Sequence, residues 1–239
     1  MKVLAIIPAR GGSKGLLNKN ILPLNKHPLI AYSIAAGLQS PSITRVICST
    51  DSEEIVKVAS SYGAEVPFVR PSEFAQDNSN DIDTFKHALS WLKDSENYIP
   101  DLVVQIRPTS PVRYIKDIEK GICLMSEYMQ ADSLRGVSIP GTTPYKMWTI
   151  SKENFMVPLL NLPSEPEPFN QPRQKLPEVW AQTGTLEVIR TETITKKNSM
   201  TGTTIIPLVV GEECYVDIDS LMSLKLAEMI IQETDCIKP

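Results

Sequence analysis

The sequence predicts an α/β protein built on a mostly parallel β-sheet flanked by helices. Residues 3–9 form an apolar run that has the length and β-branched content of a buried parallel strand. Through the first half of the chain, short runs of this kind alternate with segments whose apolar residues recur at helical spacing. Such alternation favours right-handed βαβ units, which build a parallel sheet.

The elements of the first half follow one another at regular intervals. After the opening run, strands are predicted at 45–49, 65–70 and 102–106. Helices are predicted at 28–39, 51–63, 81–93 and 115–129. Ser52 provides an N-terminal acceptor for the second helix and Gly63 a typical C-terminal cap. Pro67 restricts the strand at 65–70 to an edge or an interrupted position.

A proline-rich stretch separates this half from the C-terminal part. Seven prolines lie among short apolar pieces between positions 141 and 177, where short strands are expected around 146–150 and 155–160. Trp148, Phe155, Phe169 and Trp180 indicate that the stretch packs against something and is not a disordered linker. We therefore expect a core of 1–140 and 181–239, which the chain re-enters through strands at 187–190 and 204–207, and an inserted unit of 141–180.

Composition excludes several classes of function. The net charge of −4 argues against a nucleic-acid-binding surface. No apolar run approaches the ~18 residues of a membrane span. Residues 3–9 are too short for a signal-peptide core, and cations follow them at once. The four cysteines are scattered, which fits reduced thiols better than a zinc site. We expect a cytoplasmic protein with neither nucleic acid nor membrane as partner.

The opening strand runs into a basic, glycine-rich loop. It comprises Arg10, Gly11, Gly12, Ser13, Lys14 and Gly15, followed by Lys19 and Asn20. Adjacent glycines allow positive φ and close approach of a ligand. Backbone amides, a guanidinium and ammonium groups are the donors that a triphosphate needs. The loop matches neither the P-loop nor the dinucleotide fingerprint, and its composition also fits a basic surface turn.

Further polar residues fall at the ends of other predicted strands. Asp51, Arg70 and Arg107 each lie at or just after such an end. Ligands of parallel sheets bind beyond the carboxyl ends of the strands. These side chains and Arg10 should therefore converge.

A pair of carboxylates stands near the C-terminus. In the segment 215–220, Asp217 and Asp219 should face one side of an extended chain while Ile218 faces the core. Two such carboxylates repel each other unless a cation lies between them, and hard oxygen ligands beside phosphate suit Mg²⁺. The alternative is that Asp219 or Ser220 only caps a helix over 221–232.

Five segments together resemble, in the same order, the acylneuraminate cytidylyltransferases (CMP-sialic acid synthetases). They are IPARGGSKGLLNKN, STDSEEIVKVASSYGAEVPFVRP, RPTSPVR, QPRQKLPEVWAQTG and VDIDSLMSLKLAE. The resemblance implies a nucleotidyltransferase (Rossmann-like) architecture, CTP and a sugar acid as substrates, and Mg²⁺ as cofactor. It also implies a homodimer in which the inserted unit reaches the partner's sugar site.

The resemblance also implies roles for individual residues. Those of the nucleotide site are Ala9, Arg10, Gly11, Gly12, Ser13, Lys14, Lys19, Asn20, Arg70, Asn78 and Ser79. Those of the sugar site are Arg107, Thr183, Gly184 and Glu187, with Lys146 and Arg173 reaching the partner. Asp217 and Asp219 correspond to the metal ligands, and with Arg10, Lys14 and Lys19 they make up the catalytic set.

Four positions depart from the family's usual residues. Family members commonly have Gln at the position of Arg107, Asn at the position of Thr183 before the glycine, and an aromatic residue near Glu187. A small hydroxyl residue is common where this chain has Asp81. The first three lie towards the sugar, so the resemblance implies cytidylyl transfer without fixing N-acetylneuraminate as the acceptor.

The reaction so implied is in-line attack of the anomeric hydroxyl of a 2-keto-3-deoxy acid on the α-phosphorus of CTP, with pyrophosphate leaving. Arg107 could bind the acceptor's carboxylate bidentately. His27 and His87 are the only histidines, and we expect His87 to be structural. Open alternatives are a nucleotidyltransferase for another nucleotide or for Kdo, and an inactive nucleotide-binding subunit. A nicotinamide dehydrogenase is disfavoured, because this sequence lacks the dinucleotide fingerprint and its acidic ribose ligand.

Overall fold

The structure is a computed structural model that describes residues 1–13 and 15–239. In chain order its strands are β1 (Val3–Pro8), β2 (Pro23–Leu24), β3 (His27–Pro28), β4 (Arg45–Ser49), β5 (Leu102–Gln105), β6 (Ser133–Ser138), β7 (Trp148–Ile150), β8 (Met156–Pro158), β9 (Ala181–Arg190) and β10 (Ile205–Val209). Its α-helices are α1 (Leu29–Gln39), α2 (Glu53–Ser61), α3 (Asp81–Glu96), α4 (Ile115–Glu127), α5 (Thr191–Thr195) and α6 (Leu221–Glu233).

The main sheet has the strand order β10-β6-β9-β5-β1-β4. β1 pairs in parallel with both β4 and β5, and β10 pairs in parallel with β6. β9 runs antiparallel to β5. The predicted α/β fold with a mostly parallel sheet is therefore confirmed.

The opening run is continuous because both faces of β1 are covered. Ala5 and Ile7 belong to the apolar cluster on one face, whereas Leu4 and Ile6 belong to the cluster on the other. Alternate side chains of a strand point to opposite faces, so a strand buried on both faces needs an unbroken apolar sequence.

The predicted caps of α2 are both present. The Ser52 Oγ accepts a hydrogen bond from the Ile55 N–H at 3.5 Å. Beyond the helix, Gly63 has a φ of +94°, which is unfavourable for other residues. These two positions fix the direction in which the chain enters and leaves the helix beside β4.

The sequence analysis predicts one strand that does not form and misses the strand β6. Residues 65–70 form no strand, since Glu65 makes a single parallel bridge to Ile47 before the chain turns away at Pro67. β6 is missed because its sequence contains serine, arginine and glycine in place of an apolar run. Arg135 lies inside that strand, where Met200 O accepts a hydrogen bond from its Nη2 at 2.8 Å. Polar side chains with such partners can be buried without apolar patterning.

The contacts divide the described residues into two compact units. One comprises 1–137 and 182–239, and the other 138–181. The second unit contains the β7–β8 hairpin, and its Trp148 and Phe169 rings lie 4.5 Å apart. Ile150, Phe155 and Met156 of this hairpin region are exposed. In the part of the chain that the structure describes, no helix is both long enough and apolar enough to cross a bilayer.

Candidate active site

A cavity of about 420 Å³ opens beyond the carboxyl ends of β1 and β5. Arg10 follows β1, Arg107 follows β5, and Arg70 follows the bridge beside β4; all three line the cavity. Asp51, at the end of β4, accepts a hydrogen bond from the Gly11 N–H at 2.8 Å. The expected convergence of these four residues is confirmed.

The glycine-rich loop approaches the neighbouring segment closely. A side chain at Gly11 would bring its Cβ within 3.2 Å of the Ser52 Cβ. Gly12 has a φ of +63°, which favours glycine. Ala9 is fully buried, and its N–H donates to Ser49 O at 3.0 Å. The close approach explains why the loop contains glycine where it passes Asp51.

Polar side chains fix the rest of the loop. The Ser13 Oγ donates to Leu16 O at 2.7 Å and accepts from the Lys19 N–H at 3.0 Å. Buried Asn20 donates through its Nδ2 to Arg10 O at 2.9 Å. Ser13, Lys19 and Asn20 all line the cavity. Lys14 lies outside the described residues.

Three cations of the cavity wall are each paired with a carboxylate. Arg10 Nη1 lies 2.7 Å from Asp77 Oδ1, Lys19 Nζ lies 2.8 Å from Asp219 Oδ1, and Arg107 Nη2 lies 2.7 Å from Asp81 Oδ2. All of these carboxylates line the cavity. An anionic ligand entering here would therefore compete with resident carboxylates for the cations.

Arg70 takes a different position. Its side chain is 4% exposed, and its Nε donates to the Ser49 Oγ at 3.1 Å. Burial lowers the pKa of Arg70, although nearby Asp51 opposes the effect. Ser79 lines the cavity whereas Asn78 does not, and the Ser79 Oγ donates to Glu73 O at 3.0 Å.

The acidic pair lies on the irregular segment before α6. Asp217 and Asp219 are exposed, and Ile218 between them is fully buried, as predicted. The Ile218 N–H donates to Thr109 O at 2.7 Å, which ties this segment to the end of β5. Asp217 Oδ1 accepts from the Ser110 Oγ at 3.3 Å.

Ser220 caps α6, so the helix-cap alternative is also realised. Its Oγ accepts from the Ser223 N–H at 3.2 Å, and the Ser223 Oγ accepts from the Ser220 N–H at 3.1 Å. The capping residue of α6 is therefore Ser220 and not Asp219. The carboxylate of Asp219 is directed to Lys19 instead.

The donors at this point fit a hard cation that is only partly held by protein. The described residues contain no cluster of three or more His, Cys, Asp or Glu side chains that could hold a metal. Asp219 lines the cavity and offers its carboxylate beside Lys19, whereas Asp217, on the same segment, does not line the cavity and contacts Ser110. Mg²⁺ is commonly bound through one or two carboxylates, with water and substrate phosphates completing its octahedral shell.

Arg107 belongs to a larger charged group at the cavity wall. Its Nη2 lies 3.3 Å from Glu187 Oε1, and Glu187 also forms an ion pair with Arg135. Burial alone would lower the pKa of Arg107, but the charges of Asp81 and Glu187 outweigh it and raise the pKa. Arg107 therefore stays cationic.

Three residues expected at the sugar site lie behind this wall. Glu187 is 1% exposed and Thr183 is buried, and neither lines the cavity. A side chain at Gly184 would collide with the Ser110 Oγ. The three residues thus support the wall around Arg107 from within.

Sequence reasoning missed two residues that shape this wall. Buried Arg113 donates through its Nη2 to Arg107 O at 2.5 Å and through its Nε to Thr185 O at 2.6 Å. Asp77, the partner of Arg10, lies in the irregular stretch before α3. The only signal for Arg113 was its place in the segment RPTSPVR, and Asp77 gave none.

The remaining predicted residues lie elsewhere. Lys146 and Arg173 belong to the second unit, where Arg173 Nη2 donates to Pro140 O at 2.7 Å. The His87 ring packs against Phe68 and Phe74 at centroid distances of 4.9 and 5.8 Å, which agrees with a structural role.

Comparison with known proteins identifies the family. The pattern of the cytidylyltransferase family matches residues 4–151, more than half of the chain. The N-acylneuraminate cytidylyltransferase of Escherichia coli O18:K1:H7 is 48% identical over 112 residues, which are 47% of this chain and 25% of that protein. Post-translational flagellin modification protein B of Campylobacter coli is 30% identical over 235 residues, which are 97% of this chain and 96% of that protein.

A solved structure agrees with the fold. CMP:2-keto-3-deoxy-manno-octonic acid synthetase complexed with CTP superposes with a TM-score of 0.70 at 13% identity, covering 98% of this chain and 99% of that chain. The chain therefore shares the fold of that synthetase. The chain belongs to the cytidylyltransferase family, and the predicted resemblance to acylneuraminate cytidylyltransferases is confirmed.

Proposed function

We propose that this protein transfers a cytidylyl group from CTP to the anomeric hydroxyl of an acidic 2-keto-3-deoxy sugar, giving the CMP-sugar and pyrophosphate. The observation that carries the proposal is the contact of Lys19 Nζ with Asp219 Oδ1 at 2.8 Å, between residues 200 positions apart. The contact joins the basic loop to Asp219 of the acidic pair at the wall of one cavity, and a metal–triphosphate complex needs both kinds of group.

The loop residues would bind the triphosphate. Arg10 and Lys19 line the cavity as cations, and Ser13 and Asn20 hold the backbone between them. Such groups would stabilise the charge that develops as pyrophosphate leaves. Lys14 is proposed to act with them. Arg70 and Ser79 are proposed to border the cytosine.

Asp217 and Asp219 would hold Mg²⁺ together with phosphate oxygens. When bound, the ion neutralises phosphate charge and lowers the pKa of a coordinated hydroxyl. Lys19 is then released from Asp219 and can donate to phosphate oxygens. Ser110 orients Asp217 through its hydrogen bond.

The acceptor would bind at the Arg107 end of the cavity. A guanidinium binds a carboxylate bidentately, and Arg107 lines the cavity beside the end of β5. The exposed apolar side chains of the second unit support a homodimer, because contiguous patches of this kind mark interaction surfaces. In that dimer Lys146 and Arg173 are proposed to contact the partner's sugar.

The test is release of pyrophosphate from CTP and Mg²⁺ with a panel of sugar acids. The panel contains N-acetylneuraminate, 2-keto-3-deoxy-octonate and further nonulosonic acids, with UTP, ATP and GTP as nucleotide controls. We expect release only with CTP and only with an acid. Binding of CTP without release from any acid would instead indicate an inactive nucleotide-binding subunit, and equal release from other nucleotides would contradict cytidylyl transfer.

A further inference from the structure

Four charged residues form a chain of ion pairs around Arg107 at the cavity wall. Arg107 Nη2 contacts Asp81 Oδ2 at 2.7 Å and Glu187 Oε1 at 3.3 Å, and Arg135 pairs with Glu187 from the other side. Two glutamines add donors. Gln105 Nε2 lies 3.2 Å from Asp81 Oδ2, and Gln182 Nε2 lies 3.3 Å from Glu187 Oε1.

The network is neutral, so Arg107 carries no surplus charge for an anionic ligand. It contains two guanidinium groups and two carboxylates. The same Nη2 atom of Arg107 already serves both carboxylates. An incoming carboxylate can gain the full interaction with Arg107 only if one resident carboxylate gives up its place.

Exposure decides which resident carboxylate can leave. The Glu187 side chain is 1% exposed and is paired with Arg135, whose side chain is 9% exposed. Removing Glu187 from this pair would leave a buried charge without compensation, which is costly. The Asp81 side chain is 39% exposed and lines the cavity beside Arg107. Asp81 is therefore the group that can be exchanged.

We propose that Asp81 is a placeholder for the acceptor's carboxylate: it occupies Arg107 before the acceptor binds, and its displacement sets the acceptor's affinity. The inference rests on the proposed function. On displacement, Asp81 keeps its hydrogen bond from Gln105 and stays at the cavity wall. Asp81 thereby selects acceptors whose carboxylate binds Arg107 more tightly than Asp81 does.

The experiment compares steady-state constants of Asp81→Asn, Asp81→Ser and Asp83→Asn with those of the wild type. The acceptor is the acid that gives the fastest pyrophosphate release, and its methyl ester is the neutral control. Asp83 lies in the same first turn of α3, so Asp83→Asn removes the same charge from the same helix end. Circular dichroism checks folding, and the serine variant provides a second test should the asparagine variant fold poorly.

We expect both Asp81 variants to lower the acceptor's KM by about 5-fold, the strength of a partly exposed ion pair. The KM for CTP, the KM for the methyl ester and all constants of Asp83→Asn should stay at wild-type values. An acceptor KM that is unchanged or raised overturns the inference, as does a change in the KM for CTP. A wild type that releases no pyrophosphate with any acid refutes the proposed function itself, and the inference falls with it.

Discussion

Neighbouring residues at the start of α6 have separate tasks. Asp217 and Asp219 are directed to Ser110 and Lys19, whereas Ser220 caps the helix through its bond with Ser223. From the sequence alone, capping and metal binding were alternatives for this segment. The structure contains the cap on Ser220 and leaves Asp219 at the cavity wall, so the two properties can be separated by mutation.

Ser220→Ala should weaken the fold and spare the chemistry. Loss of the N-cap oxygen is expected to lower the free energy of unfolding by about 1 kcal/mol. Urea denaturation measures this change, and pyrophosphate release should remain at the wild-type rate within about 2-fold. A variant of normal stability that has lost turnover would place Ser220 in the reaction and contradict the division of tasks.

At the residue scale, charge at strand ends was a sufficient guide to Arg10 and Arg107, because parallel strands end at one edge of the sheet. Arg70 also lines the cavity, although the strand predicted before it does not form. The carboxylates that pair with two of these arginines were not predictable. Asp77 and Asp81 meet their partners across long stretches of chain, and no local pattern encodes such a contact.

Asp132 joins three elements of the sheet's outer part. It precedes β6, and its Oδ2 accepts from the N–H groups of Thr203 and Thr204 at 2.8 and 3.2 Å, just before β10. Its backbone O accepts from the Arg190 N–H at the end of β9 at 3.1 Å. The ammonium of Lys197 and the N–H groups of Thr203 and Thr204 hold the pKa of the Asp132 carboxyl well below its usual range.

The depressed pKa of Asp132 makes its contribution depend on pH. Stability from such a carboxylate is fully present above the unfolded pKa of about 3.9 and is lost as the pH falls through the folded value. Asp132→Asn should therefore lower the free energy of unfolding by about 1–3 kcal/mol at neutral pH. The gap to wild type should shrink below about pH 4.

Urea titrations at a series of pH values measure that gap. Asp94→Asn, at an exposed position of α3, is the control and should show no gap that closes with acid. A difference between Asp132→Asn and wild type that stays constant down to acid pH would show that the charge of Asp132 is not the cause.

At the element scale, β1, β4, β5 and the helices α1 to α4 were predictable because apolar runs and helical spacing alternate there, whereas the two-residue strands β2 and β3 were not predicted. Residues 65–70 were assigned to a strand on composition, although Pro67 cannot donate to a neighbouring strand. β6 was not found, because its Ser133 and Arg135 are satisfied by residues 200 and 201, whose position only the complete fold provides.

For the whole molecule, the essential feature is that segments far apart in the sequence meet at one cavity. The segment before α6 is tied to the end of β5 by the bond between Ile218 and Thr109, and it faces the loop that follows β1. β1 and β5 are adjacent in the sheet, so the topology itself brings Lys19 and Asp219 together. The basic loop and Asp219 of the acidic pair, predicted separately from sequence, therefore line the same cavity.

Calorimetric titration with CTP at increasing Mg²⁺ tests the central claim, which is that these two groups hold one nucleotide–metal complex. In the wild type, Mg²⁺ should tighten CTP binding by about 10-fold or more, equivalent to about 1.4 kcal/mol. In the Asp217→Asn, Asp219→Asn double variant the enhancement should vanish, whereas Ser220→Ala should retain it. An undiminished Mg²⁺ enhancement in the double variant would contradict the account.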